Sequence, residues 1–460
     1  MQASNSQRYK EILLSLIVVF LFVVTVTSLF FRYEDSDVYF LISNGRYILH
    51  KGIPHTMFWG LKPDLPTMVQ QWGCSVWIYL FYAVFSEKGI NICKGITCIL
   101  MTAGIYFLLI PFSVSKSKRF VVTVFASFFL SINYILVRPY PITFLCCLAL
   151  VGQSFIFFRS KDRDNKKYLK YCVFVFFIYM FQSNWQCASL VILACFSACF
   201  LFDWHGFNVR AAFSFIPAFL GGLINPYGIN AWTYTLRSVG ATEVYTIDEM
   251  RPLGFTELQL TLVIATIILY ISYRKLWKII PLWLHLMTCG SLVASLFAPR
   301  NTYMCIIPFS IIMLCGLSIY EINIEKLLHV LSPMLIAVIL FISVITDYRR
   351  SIDVPRGIIP DDAILFTHFN NGAYFINQGH QVYIDARPEL YSEAFLDDDA
   401  YLQESFDACY NKSFDRNAFV DKYDFNYFAT TGSDYMYYWC LDHCKLIYFD
   451  GMDTYIFEKS

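Results

Sequence analysis

Two carboxylates one residue apart, Asp35 and Asp37, lie with Glu34 and Ser36 just beyond an uncharged run from Ile12 to Phe31. That run is about twenty residues long, enough at about 1.5 Å per residue to cross a bilayer core. Carboxylates crowded at such a boundary repel one another and gain little from lipid; a proton, a divalent cation or a cationic partner relieves the crowding. The plain alternative is a solvated loop start. Two arginines, Arg138 and Arg300, stand beside prolines at the ends of apolar runs. A guanidinium fork there suits a phosphate or pyrophosphate headgroup, and it equally suits snorkelling to the lipid interface. Paired carboxylates with cationic forks are parts for group transfer from a phosphate-linked donor.

Those residues need a frame, and composition supplies it. The 460 residues are 57% hydrophobic and 15% charged, with 44 Phe and 32 Tyr. Apolar runs recur to about residue 346, which marks a polytopic α-helical membrane protein with about eleven spans. The expected spans are 12–31, 91–113, 120–137, 141–158, 168–183, 187–202, 211–224, 257–273, 279–297, 302–320 and 327–346. The first run is too long and lacks the cleavage site of a removable signal peptide, so it is an anchor. Net charge is zero, and no nucleic-acid footprint is present. Most of the 15 cysteines fall inside apolar runs, where they behave as small hydrophobes. Cys409, Cys440 and Cys444 are in the polar tail, where a disulfide is an open alternative, strained if it joins Cys440 to Cys444 within one helical turn.

The basic residues sort by loop. Arg8 and Lys10 precede the first span; Lys116, Lys118 and Arg119 follow the second; Arg159, Lys161, Arg163, Lys166, Lys167 and Lys170 crowd the loop after the fourth. The positive-inside rule assigns these to the cytoplasm, with a cytoplasmic N-terminus in the plasma (inner) membrane. This holds if Gln71 to Phe85, only about fifteen residues, is an interfacial or re-entrant helix rather than a span. Residues 1–346 then form a transmembrane module whose outer loop 32–90 carries the acidic motif, and 347–460 form a small extracytoplasmic α/β domain. Runs at 363–366, 381–384 and 445–449 predict short strands, with helices near 395–409 and 414–422. Within the loop, the pattern from Val38 to Leu49 predicts a short amphipathic helix on the membrane, stopped by Gly52 and Pro54. His50 and His55 flank the stop and read as surface histidines rather than a metal pair. Lys94, near a span end, reads as a snorkelling side chain.

The order of these elements resembles the C-type glycosyltransferase (GT-C) superfamily, within it a little-characterised bacterial branch with a C-terminal extracytoplasmic domain. The matching words are Asp35-x-Asp37, Gly45-x-x-Ile48-Leu49-x-x-Gly52-Ile53-Pro54, Gln71-Trp72, Arg138-Pro139, the Asn184 loop, Asn225-Pro226-Tyr227-Gly228 and Arg300-Asn301. In the tail they are Asn371-Gly372-Ala373-Tyr374 and Val382-Tyr383-Ile384-Asp385-Ala386-Arg387-Pro388-Glu389-Leu390-Tyr391. The chain departs from the pattern twice: Phe40 and Gln186 stand where that branch often carries histidines.

The resemblance implies a glycosyltransferase that takes a sugar from a polyprenyl-phosphate or -diphosphate donor to a glycan, lipid or protein acceptor, probing the donor from among membrane lipids. Asp37 or Asp35 is the candidate base, and the other would hold the acceptor or a Mg²⁺ or Mn²⁺ ion. Single displacement would invert the anomeric centre. Arg138 and Arg300 are candidates for the donor phosphate, and Asn184, Gln71, Asp385 and Arg387 for other substrate contacts, with a structural ion pair as the alternative for Asp385 and Arg387. Tyr227 and Trp72 could stack on a sugar or prenyl chain, or anchor at the interface. A transporter or a non-catalytic scaffold in surface-polysaccharide assembly is the alternative from another class; no internal repeat favours a transporter. The topology predicts that single cysteines replacing Lys166 and a tail residue label from opposite sides of the membrane. Labelling from the same side would overturn the topology.

Overall fold

The computed structural model describes residues 37–61, 65–113, 115–134, 137–159, 164–203, 206–242, 253, 255–272, 280–297, 299–317, 336–345, 352–385, 387, 391 and 400–459. The expected first span, Asp35 and half of the 327–346 span lie outside these residues. The chain divides into two compact units. One comprises Met1–Arg32, Glu87–Trp232 and Thr246–Tyr348; the other comprises Tyr33–Ser86, Thr233–Tyr245 and Arg349–Ser460.

The first unit is helical. Its longest apolar helices, Glu87–Phe112 and Tyr140–Arg159, are the two among the described residues that are long and apolar enough to cross a membrane. Of the other expected spans, 120–137 and 168–183 coincide with the Lys116–Tyr134 and Asn165–Trp185 helices, and others with shorter pieces such as Leu190–Ala198, Phe215–Leu223, Leu282–Phe297 and Ile306–Leu317. Phe107, Phe177, Phe213, Phe297 and Phe341 on these helices are all more than half exposed. Several buried hydroxyls in the unit are satisfied on their own helix. Thr266, Thr288, Ser295 and Ser310 each donate to the carbonyl one turn back, at 2.6–2.8 Å, as a hydroxyl must where no water reaches it. The Asn165–Trp185 and Phe215–Leu223 helices approach so closely that a Cβ on Gly221 would lie 2.2 Å from the Phe176 carbonyl oxygen. Small residues permit such backbone approach where apolar surface alone cannot drive association. A two-residue hairpin, β1 (Phe202–Asp203) with β2 (Gly206–Phe207), also belongs here.

The second unit is built on a four-stranded sheet in the order β3-β4-β6-β5, from β3 (Leu365–Thr367), β4 (Tyr427–Thr431), β5 (Cys444–Phe449) and β6 (Thr454–Lys459). β3 and β4 are parallel and the other pairings antiparallel. Helices Ala400–Tyr410 and Arg416–Tyr423 fall close to the two expected in this region. The expected strand at 381–384 is not a ladder strand. Val382, Tyr383 and Ile384 are fully buried, and Val382 makes single bridges to Leu365 and to Gly60. With no solvent face, this segment serves as a tie: the Val382 N–H donates to the Trp59 carbonyl and its own carbonyl accepts from Leu61 N–H. Phe366, Tyr383, Phe419, Phe425 and Phe428 interlock edge-on in the core. Cys409, Cys440 and Cys444 are free thiols.

The helix predicted after the acidic motif is present as Asp37–Lys51, and Gly52 ends it at a φ of +88°. It does not display one apolar face to a surface. Val38 through Gly45 are all buried, because the Trp72–Phe85 helix packs on one side and the Phe369–Gln378 helix on another. Gly45 lies so near Ser75 that an added Cβ would sit 2.2 Å from its carbonyl oxygen. Gly45→Ala is therefore expected to cost about 1–3 kcal/mol, the range for overpacking a filled site. Gly290→Ala, with nothing within 4 Å of the new Cβ, is expected to be neutral or slightly stabilising. Thermal unfolding of the detergent-solubilised protein compares the two.

Candidate functional site

In the second unit, the acidic motif enters the described chain at Asp37, half-buried in the first turn of its helix, where the helix dipole favours a carboxylate. One turn later comes Phe40, which the sequence places where a histidine is often found. Its ring packs edge-on to Trp59, with centroids 5.6 Å apart, and the Arg387 guanidinium lies 4.1 Å from its centroid. The same guanidinium lies 4.3 Å from the Trp59 ring. Arg387 is thus held between two aromatic faces, a stacking position that a lysine does not reproduce.

Asp385 completes the cluster. Arg387 Nη2 donates to Asp385 Oδ2 at 2.7 Å and Nε to Oδ1 at 3.0 Å, a two-pronged pair with side chains 7% and 0% exposed. Trp59 Nε1 and the Tyr391 hydroxyl donate to the same Oδ2 at 2.6 and 3.1 Å, and the Arg387 N–H to Oδ1 at 2.9 Å. Burial pushes the Asp385 carboxyl up, but the Arg387 charge and these donors outweigh it and hold the group below the ordinary carboxylate range. Arg387 is still more firmly charged than usual, since Asp385 outweighs its own burial. Both residues are spent on each other and on their cage. As found, the pair is a structural one.

Gln71 and Trp72 begin the helix that packs against Asp37–Lys51. Gly45 meets Ser75 and His50 meets Tyr79, so the two helices run in the same sense and their N-terminal ends, with Asp37 and with Gln71-Trp72, point the same way. Gln71 caps no N–H with its side chain; its carbonyl takes the Ser75 N–H at 2.9 Å. The Trp72 indole N–H and the Gln70 side-chain oxygen are buried with no hydrogen-bond partner among the described residues. A polar ligand would satisfy both. His50 and His55 are exposed, as expected of surface histidines.

Arg138, Asn184, Tyr227 and Arg300 belong to the first unit, and a chain of contacts links their segments. The Trp185 indole donates to the Pro139 carbonyl at 3.1 Å, beside half-buried Arg138. The Asn184 amide donates to the Met180 and Ile224 carbonyls, both at 2.7 Å, pinning the turn that Asn225 closes through Tyr227 N–H at 2.8 Å. Tyr140 and Tyr303 rings lie 5.7 Å apart, joining the Arg138 segment to the 3₁₀ turn Pro299–Cys305 that contains Arg300; the Arg300 side chain lies outside the described residues. Asn184 and Asn225 also line an otherwise apolar groove of about 530 Å³ with Met180, Phe181, Ile224 and Pro226, the lining expected for an acyl or prenyl chain.

Gln186, the second position where a histidine is often found, is buried in a closed network. Thr143 and Ser189 hydroxyls donate to its Oε1 at 3.0 and 2.8 Å, and Gln182 Nε2 donates to Thr143 Oγ1 at 2.9 Å. Lys94 corrects the sequence reading: it is 3% exposed and does not snorkel. Asn91, one turn earlier on the same helix, is 2% exposed, and two polar residues at that spacing in an apolar helix were the available signal.

No family model matches the chain, and no curated protein matches it. Solved structures do. An oligosaccharyltransferase of Archaeoglobus fulgidus, tethered to an acceptor peptide containing the NVT sequon, aligns with a TM-score of 0.53 at 12% identity over 93% of this chain and 70% of its own. The archaeal oligosaccharyltransferase AglB from the same organism, in complex with an inhibitory peptide and a dolichol-phosphate, aligns at 0.51 and 11% over 92% and 70%. At 11–12% identity the likeness is one of fold, and that fold is consistent with the resemblance carried by the sequence words.

Removing one partner of the caged pair strands the other charge out of water, at a cost of about 3–5 kcal/mol. Arg387→Ala is expected to lose that much stability, and Arg387→Lys an intermediate amount because the fork and the stacking go. Because the folded Asp385 titrates below its unfolded value, the stabilisation is complete above about pH 4 and fades as pH falls through the folded value. Chemical unfolding across the acid range measures this; a slope unchanged in Asp385→Asn contradicts it.

Proposed function

We propose that this chain is a multi-pass membrane glycosyltransferase of the plasma (inner) membrane. It moves a sugar from a polyprenyl-phosphate or -diphosphate donor to a cell-surface glycan, lipid or protein acceptor on the outer face. The observation that carries this reading is the GT-C fold likeness over nine-tenths of the chain. The acceptor peptide and the dolichol-phosphate in the two similar structures make a protein acceptor and a polyprenyl-linked donor the first candidates here. Exposed phenylalanines around the first unit support a lipid-facing surface. The about eleven spans, the cytoplasmic N-terminus and the extracytoplasmic tail belong to this proposal.

In the proposed mechanism Asp37 or Asp35 removes the acceptor proton while the sugar's anomeric carbon leaves its phosphate with inversion. The other carboxylate orients the acceptor or, as an oxygen donor, holds a divalent cation such as Mg²⁺ or Mn²⁺. Arg138 and Arg300 are the candidates for the departing phosphate. The prenyl chain fits the groove beside Asn184. Asp385 and Arg387 act as positioning residues, by fixing Phe40 one turn from Asp37.

A second reading, a non-catalytic scaffold, draws on one observation: Phe40 and Gln186, where histidines are often found, are both locked into packing. Separate Asp35→Asn and Asp37→Asn replacements, in a cell whose surface glycan depends on this protein, distinguish the two. The base should cost about 10²–10⁴-fold in transfer, read in parallel with polyprenyl-phosphate sugar turnover by the solubilised protein. Full glycan production by both variants would remove the catalytic assignment and leave the scaffold.

A further inference from the structure

We propose that the second unit carries a zinc-type site to which His368, Cys409 and Asp434 supply three ligands, apart from the proposed transfer chemistry and independent of it. One ligand atom from each residue lies within 4.8 Å of the others, and all three residues are buried. Nitrogen, sulfur and oxygen donors together suit Zn²⁺, a borderline ion that takes Cys, His and Asp in one tetrahedral shell.

The fold explains how three residues distant in sequence converge. β3 and β4 are parallel. His368 follows β3 directly, and its N–H donates to the Ala429 carbonyl on β4 at 3.3 Å. Asp434 stands three residues past the end of β4, and Cys409 is on the last turn of the Ala400–Tyr410 helix. The space beyond the carboxyl ends of parallel strands is where α/β folds bind their ligands.

The second observation is Asp434 itself. It is fully buried and sits at the N-cap of the Tyr435–His443 helix, yet its side chain caps none of that helix's N–H groups. Oδ2 accepts from the Thr431 N–H at 3.1 Å, while Oδ1 is buried with no hydrogen-bond partner among the described residues. Thr430, next along β4 from Ala429, is also fully buried and its hydroxyl likewise lacks a partner. Orphaned buried oxygens call for an explanation, and a cation supplies one. The Tyr410 hydroxyl lies 2.6 Å from His368 Nε2, the kind of outer hydrogen bond that orients a ligating imidazole. On binding, Cys409 gives up its thiol proton to solvent and coordinates as thiolate.

The test uses the full chain in detergent, purified without chelator. Zinc content and, after exchange, Co²⁺ absorption are measured. Wild type is expected to show a thiolate-to-cobalt charge-transfer band that disappears in Cys409→Ser and persists in Cys440→Ser. His368→Ala and Asp434→Asn should weaken Co²⁺ binding more than Tyr410→Phe, for which about 10–100-fold is expected as the loss of an outer partner. A metal held only by Asp35 and Asp37 has oxygen donors and gives no such band, so failure here and failure of the transferase reading are separate results. A wild-type protein without the band, or a band unchanged in Cys409→Ser, overturns the site. If Cys409→Ser does not fold, the wild-type spectrum and the His368→Ala titration decide.

Discussion

The second unit depends on one buried ion pair. Asp385 and Arg387 sit out of water, where an isolated charge would cost several kcal/mol. The pair is tolerated because every approach to it is answered: Trp59 and Tyr391 donate to the carboxylate, while Phe40 and Trp59 face the guanidinium. Each of those residues must then be where it is. Phe40 fixes the Asp37–Lys51 helix, and Trp59 fixes the loop between the two helices. The placement of the acidic motif is a consequence of satisfying a charge some 350 residues away in sequence.

The same cluster explains an apparent defect. A phenylalanine at position 40 looks like the loss of a histidine when only the motif is considered. In the fold its ring is one wall of the arginine's cage, a role a neutral or charged imidazole fills less well beside a guanidinium. Gln186 in the first unit is parallel: its side-chain oxygen takes hydroxyl donors from Thr143 and Ser189, and Gln182 donates to Thr143. Both substitutions exchange an ionisable group for a fixed one.

Polar groups are buried by two routes. Hydroxyls of the first unit return to their own helix and glycines let backbones meet. Side chains also reach across elements, in the first unit between Tyr179 and Ser197 and around Gln186, and in the second through the reciprocal hydroxyl-to-carbonyl bonds of Tyr383 and Tyr401. Both units leave buried polar atoms without a partner among the described residues, Gln182 Oε1 in the first and Asp434 Oδ1 in the second.

By itself the sequence determined the helical class, the change of character near residue 347, and a helix after the acidic motif that Gly52 stops, because hydrophobic period and glycine are local signals. It also supplied the words that carry the GT-C resemblance, with which the fold likeness agrees. For Asp385 and Arg387 it left two readings open, substrate contacts or a structural ion pair. What it could not contain was depth. That Lys94 is enclosed rather than snorkelling, that 381–384 is a tie and not a strand, and that the helix after the acidic motif is covered on more than one side all depend on neighbours remote in the chain. The convergence of His368, Cys409 and Asp434 is of the same kind: three ordinary residues in sequence, made into a candidate site only because two parallel strands end side by side.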